Sequence, residues 1–197
     1  ASSAASDVYK RQLSSKAVED AKKNGEAVKA PVEVEASRDS NTAPTVKVEL
    51  PKNAGETEVE IPVSNVKPGT VAVLVHPDGT EEIVRGSVVT ETGIALRAEG
   101  DVRLKIIDNA KRFNDMADHW AKDAVEFASS RELFNGVGND AFGPDRSMTR
   151  GMVSTVLARL AGADTAGGET WYAKGTVWAV ENGISDGTNP EQPLTRE

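Results

Sequence analysis

The carboxy-terminal part of the chain repeats itself, and a repeat restricts the possible folds more than any single motif. Slid against itself by 51 residues, the chain aligns Trp120 with Trp171, Phe127 with Trp178, Ala128 with Ala179 and Gly136 with Gly187. After a loop shorter by five residues in the second copy, Met148-Thr149-Arg150 aligns with Leu194-Thr195-Arg196. A repeat of about 50 residues means a unit that must stack on its neighbours, because one copy alone leaves an apolar face uncovered. The second copy stops at Glu197, where its second helix is due, so the chain reads as cut inside an array.

Within one copy the spacing predicts helix, structured loop, helix. Residues 119–133 place Trp120, Ala124, Phe127 and Ala128 on one face, with Asp118 positioned to cap the first turn. A glycine-rich loop follows at 135–147. Thr149 then caps a helix whose Met152, Val153, Val156, Leu157 and Leu160 form a second apolar stripe, ended by Gly162.

Upstream the pattern differs. Residues 13–30 are rich in Ala, Lys and acids and predict a short helical connector, interrupted at Asn24-Gly25. Beyond Pro31, Val46, Val48 and Leu50 alternate with polar residues, as do Val59, Ile61 and Val63, which is the signature of half-buried strands. The apolar run 71–75 reads as a central strand, joined through His76-Pro77-Asp78-Gly79-Thr80 to 82–84 as a hairpin. Two more strands are expected at 93–97 and 102–107. Short strands at close spacing with no helix between them predict a small antiparallel β-sandwich over 31–109.

The fold class is therefore α+β and multidomain: a β-sandwich at 31–109, a first helical repeat at 110–164 and a truncated second at 165–197. Two small units suit the 197 residues. The segment Asp7-Val8-Tyr9-Lys10-Arg11-Gln12 resembles the in-frame translation of a transposon end used in preparing sequencing libraries. Residues 1–12 are set aside on that ground, an ordinary disordered terminus being the alternative.

A formal net charge of −8 disfavours electrostatic partnership with nucleic acid or an anionic membrane, so an anionic ligand must be met by local basic groups. The absence of cysteine removes disulfides, thiolate metal sites and cysteine nucleophiles, and with only His76 and His119 no metal or cofactor is expected. No apolar run approaches the roughly 18 residues that a membrane span requires. No signal peptide opens the chain.

The order of short motifs carries a further reading. The first copy has Phe113-Asn114-Asp115-Met116, Asp118-His119-Trp120-Ala121, Leu133-Phe134-Asn135-Gly136, Phe142-Gly143-Pro144-Asp145 and Met148-Thr149-Arg150. The second has Trp171-Tyr172-Ala173, Val177-Trp178-Ala179, Asn182-Gly183-Ile184-Ser185-Asp186-Gly187 and Pro193-Leu194-Thr195-Arg196-Glu197. In this order and spacing they resemble the S-layer homology family. The resemblance implies modules, usually in threes, that form a pseudo-threefold helical bundle, here incomplete, and bind secondary cell-wall polysaccharide. Pyruvate-ketal sugars are the characteristic ligands, and the location implied is extracellular, at the wall or S-layer of a Gram-positive-type bacterium. Further repeats in cis are compatible with it. The upstream sandwich looks like segments that precede such repeats in Firmicutes surface proteins.

Carried over, the arginine that meets the ligand's carboxylate is Arg150 in the first copy and Arg196 in the second, each after its Thr149 or Thr195. Where the family often has Ala-Glu after Thr-Arg, this chain has Gly151-Met152, and Met152 is not expected to complete the capping box that a glutamate would. A cation in a first helical turn opposes the helix dipole, yet beside free backbone N–H groups it suits an anion-binding helix start, with Arg150 exposed there. Solvated arginine is the plainer alternative. Trp120, Trp171 and Trp178 sit at helical positions beside apolar residues, which favours core packing; sugar stacking, the other use of tryptophan, suits Trp120 and Trp171, the first of each copy.

Asp115, Asp118 and Asp145 have turn or capping roles available, which weighs against a glycosidase pair. Asn139-Asp140 with Asp145 lacks the ligand ladder of a calcium loop. Leu50-Pro51-Lys52-Asn53-Ala54 lacks the threonine, glycine and apolar tail of a sortase signal. The sandwich has no Trp, Tyr or Phe with which to stack on a sugar. The leading expectation is thus a non-enzymatic binding module. The alternative is an extracellular polysaccharide-active enzyme whose catalytic domain lies upstream, this chain being its spacer and anchor.

Overall fold

The structure is a computed structural model that describes residues 15–29, 32–35, 43 and 45–195. Residues 1–12, set aside above, and Arg196 lie outside the described residues. The fold mixes helices and strands, and the chain divides into two compact units at Asn109 and Ala110.

The first unit opens with α1 (Ser15–Asn24), whose Val18 is buried, and Gly25 leaves the helix at φ 67°. The strands follow as β1 (Val28–Lys29), β2 (Val32–Glu35), β3 (Thr45–Val48), β4 (Thr57–Pro62), β5 (Thr70–Val75), β6 (Glu81–Ile83), β7 (Val88–Val89), β8 (Gly93–Ala98) and β9 (Val102–Asp108). They make two sheets, ordered β1-β4-β8-β7 and β2-β3-β9-β5-β6. Alternation places Val59 and Ile61 of β4, Ile94 and Leu96 of β8, Val46 and Val48 of β3, and Leu104 of β9 in one buried cluster, so both sheets contribute to a single core. The expected hairpin forms as β5 and β6, with Leu74 opposite Glu82. Asp78 accepts hydrogen bonds from the Thr80 backbone N–H (2.9 Å) and hydroxyl (2.7 Å), an Asx turn that closes it.

Pairing is antiparallel with one correction to the expectation. β1 runs parallel to β4, Val28 opposite Val59. Between these strands the chain crosses to the other sheet for β2 and β3, and a crossover returns a strand in the same direction where a hairpin would reverse it. The stretch read as a connector thus supplies a helix and an edge strand to this unit.

The second unit holds α2 (Lys122–Ser130), α3 (Arg150–Leu160) and α4 (Ala173–Glu181). The offset of 51 residues maps α2 onto α4 from end to end. Both helices close with the same C-terminal motif: Leu133 N–H donates to the Ala128 carbonyl (3.1 Å) and Ile184 N–H to that of Ala179 (2.8 Å). The left-handed residue is Gly183 (φ 68°) in the second copy but Glu132 (φ 56°) in the first. A side chain in that conformation costs about 1 kcal/mol relative to glycine. Glu132→Gly is therefore expected to raise the melting temperature of this unit by about 4–8 °C, read by tryptophan fluorescence; an unchanged value would mean that contacts of the glutamate side chain offset the strain.

Three expectations about the helices are corrected. α2 starts at Lys122 with no side-chain cap, so Asp118 does not cap it; instead His119 Nδ1 accepts from Ala121 N–H (3.2 Å). Trp120 consequently precedes the helix and is 90% exposed, Ala124 faces solvent, and the buried positions are Val125, Ser129 and Ser130. In α3 the buried residues are Gly151, Ser154, Thr155 and Ala158, while Leu160 is exposed. The reason is the close approach of α4: a Cβ on Gly175 would stand 2.6 Å from Thr155 Cα. Small residues let two helix backbones meet there, and the larger apolar side chains are displaced to the flanks.

Candidate functional site

The loop of the first copy is a rigid frame. Val137 N–H donates to the Ala141 carbonyl (2.9 Å), and Gly136 at φ 75° lies so close to Ala141 and Phe113 that a Cβ would collide with both. Phe113 and Phe134 pack on Phe142 with ring centroids 5.4 and 6.0 Å away. Asp115 ties this loop to the preceding turn, its carboxylate accepting from Phe142 N–H (2.9 Å) and Gly143 N–H (2.7 Å). Those two backbone donors, Phe142 first, hold the Asp115 carboxyl below the ordinary aspartate pKa. The turn role anticipated for Asp115 is the one it plays.

At the start of α3 Thr149 caps as expected, its Oγ1 accepting from Met152 N–H (3.2 Å). Met152 corrects the reading of the Gly-Met departure: its Sδ lies 3.5 Å from the Thr149 N–H and completes a capping box with a thioether, a weak acceptor, in place of a carboxylate. Gly151 has its own reason. A Cβ there would stand 3.0 Å from the Tyr172 ring and 3.1 Å from the Pro190 carbonyl of the second copy.

The helix start is not open to an anion in the way the sequence implied. Arg150 N–H donates to the Gln192 carbonyl (3.0 Å) and Gly151 N–H to that of Pro190 (2.7 Å), while Leu194 N–H returns to the Met148 carbonyl (2.8 Å). The expected exposed guanidinium of Arg150 is only 31% exposed, with Nη2 2.5 Å from Asp186 Oδ1. The same oxygen accepts from Thr188 N–H (3.0 Å) and the Thr188 hydroxyl (2.9 Å). Those bonds first, and Arg150 after them, keep the Asp186 carboxyl below its ordinary pKa. Segment 185–194 of the second copy therefore already fills the donors that the sequence reading reserved for a ligand.

A groove of about 640 Å³ opens beside this junction, within the helical unit. Phe134, Phe142, Met148, Met152 and Val156 give it apolar walls, and Trp171, 54% exposed, stands at its edge. Trp171 and Trp120 are thus not core residues, and Trp178 is half-buried. Thr195 is exposed, and Arg150 is absent from the groove walls. The arginines that do line it are Arg146 and Arg159, neither singled out from the sequence. Arg159 is committed, donating from Nη1 to the Leu133 carbonyl (3.0 Å) and from Nε to the Thr165 hydroxyl (3.1 Å). No periodic signal marks Arg146, one charged residue in a turn-rich loop.

Helix, stapled loop and capped helix stand together in the first copy, and residues 112–151 match the S-layer homology domain. The chain is accordingly an extracellular, cell-wall-associated protein of Gram-positive-type bacteria. It is 31% identical over 161 residues to an amylopullulanase of Thermoanaerobacterium thermosulfurigenes, covering 73% of this chain and 9% of that protein. It is 26% identical over 140 residues to the surface-layer 125 kDa protein of Lysinibacillus sphaericus, covering 62% of this chain and 11% of the relative. An exoglucanase XynX of Acetivibrio thermocellus is 29% identical over 106 residues, 47% of this chain and 10% of that protein. The chain thus spans about a tenth of the length of these relatives, and no solved structure matches it.

Proposed function

We propose that the helical unit anchors a larger surface protein non-covalently to the wall by binding secondary cell-wall polysaccharide, and that the β unit spaces it from what precedes. The observation that carries this reading is the groove: about 640 Å³, apolar-walled, with a half-exposed tryptophan at its edge, the size and character of a site for a sugar unit. Trp171 is the stacking face in this groove. Trp120, its counterpart in the first copy and almost fully exposed, is the same face presented to a neighbouring repeat. Thr149, and Thr195 by its position in the repeat, serve the site as helix caps. A ligand carboxylate reaching Arg150 has to compete with Asp186, and Arg196 is the corresponding donor of the second copy.

The test is sedimentation of the chain with purified walls before and after chemical removal of the secondary polymer. Binding is expected to disappear with the polymer. Binding that survives removal would move the partner to peptidoglycan or to a wall protein. A second reading concerns the whole protein: three relatives are named as glycan-active enzymes, an amylopullulanase, an exoglucanase and an endo-1,4-β-xylanase. On that reading the catalytic domain lies outside this chain, which is its spacer and anchor.

A further inference from the structure

We infer that Met152 is a site of reversible oxidation, where a peroxide-class oxidant places an oxygen on the thioether and thereby strengthens the cap of α3. The device acts on the stability of the helical unit and is independent of wall binding. The start of α3 shows why the sulfur matters. Arg150 N–H donates to the Gln192 carbonyl (3.0 Å), Gly151 N–H to the Pro190 carbonyl (2.7 Å) and Met152 N–H to Thr149 Oγ1 (3.2 Å). The remaining N–H of the helix start, that of Thr149, has Met152 Sδ at 3.5 Å. A thioether is a weak acceptor, so this bond is the weakest at the helix start and the one that a chemical change can improve.

Oxidation improves it by atom transfer. A lone pair of Sδ attacks one oxygen of hydrogen peroxide, the O–O bond breaks as the S–O bond forms, and the other oxygen leaves as water. The sulfur is oxidised by two electrons and the peroxide reduced by two. The sulfoxide oxygen is polar and sits on the atom that already faces the Thr149 N–H, so it takes the part that a glutamine or glutamate oxygen plays in an ordinary capping box. A methionine sulfoxide reductase, drawing electrons from a dithiol, removes the oxygen as water and restores the thioether.

Access follows exposure. All three methionines lie in the helical unit. Met116 is 4% exposed and Met148 37%, while Met152 is half-buried and lines the open groove beside Met148. A small oxidant therefore reaches Met148 and Met152 but not Met116. An oxygen on Met152 stays at the groove wall, which avoids the loss of packing that a sulfoxide brings to a core.

The experiment treats the full chain and three variants with hydrogen peroxide, locates added oxygen by peptide mass spectrometry and follows melting of the helical unit by tryptophan fluorescence. Met148→Leu leaves Met152 as the accessible methionine. In that variant oxygen is expected on Met152 and not on Met116, with the melting temperature raised by about 4 °C and returned by the reductase. Met152→Leu keeps the apolar volume without an acceptor and is expected to show no rise with peroxide. Met152→Gln supplies an amide oxygen permanently and is expected to melt about 4 °C above the unmodified chain before any treatment. Oxygen on Met152 with an unchanged or lowered melting temperature would overturn the inference. A rise of the same size in Met152→Leu would do so too, as would a Met152 that stays unoxidised while Met148 is consumed.

Discussion

Gly175→Val is expected to melt the helical unit at a temperature lower by about 12 °C or more. Within α4, at its third residue, a glycine costs up to about 1 kcal/mol against alanine, so its presence there needs a compensating contact. That contact is the crossing of α4 over α3, where a Cβ would meet Thr155 Cα and Oγ1 at 2.6 Å and Cβ at 3.0 Å. Backbone cannot yield as a flexible side chain does, so the branched residue forces the helices apart and opens the interface that also holds Gly151, Ala158 and Ala179. Overpacking of this kind costs about 3 kcal/mol, and each kcal/mol shifts the midpoint of a unit this size by about 4 °C or more. All three tryptophans lie between residues 120 and 178, so tryptophan fluorescence reports this unit and not the β unit. An unchanged fluorescence midpoint would show that the two helices do not meet through Gly175.

Leu104→Ala is the complementary change. Leu104 is fully buried in β9, opposite Val46 of β3 and Leu74 of β5, at the centre of the core shared by the two sheets. Removing its isobutyl group leaves a cavity among side chains held by two sheets, at a cost of about 2–5 kcal/mol. Far-ultraviolet circular dichroism is expected to show the β unit melting about 10 °C lower or more, with the fluorescence midpoint of the helical unit unmoved. Each unit is compact in itself, and Leu104 belongs to the core of the first. A fluorescence midpoint that fell together with the β transition would refute the expectation that the two units melt independently.

Much of the architecture was legible in the residues. The alternation of Val46, Val48, Val59 and Ile61 anticipated strands whose inner faces those residues line, and the offset between Trp120 and Trp171 anticipated two helices whose first and last residues lie 51 positions apart. Thr149 as a cap and Gly162 as a helix end (φ 79°) were likewise readable, because capping depends on residues adjacent in the chain. Of the candidate groove, Trp171 was visible as half of a repeated pair. Arg146 was not, since nothing in its neighbours distinguishes a groove-facing arginine from a solvated one. The parallel pairing of β1 with β4 also escaped, a two-residue strand having too few positions to show a period.

The sequence by itself determined where the elements lie, how they end and that they repeat, because periodicity, caps and turn residues act through near neighbours. Only the tertiary structure decided which helix faces are buried and which charges are engaged. Periodicity ranks residues by hydrophobicity, whereas burial at the α3–α4 crossing is ruled by closest approach, and there Gly151, Thr155 and Gly175 outrank Leu160. In the same way the partner of Arg150 was settled by a segment 36 residues away: once 185–194 folds across the start of α3, Asp186 reaches the guanidinium and the carbonyls of Pro190 and Gln192 take the helix's free N–H groups.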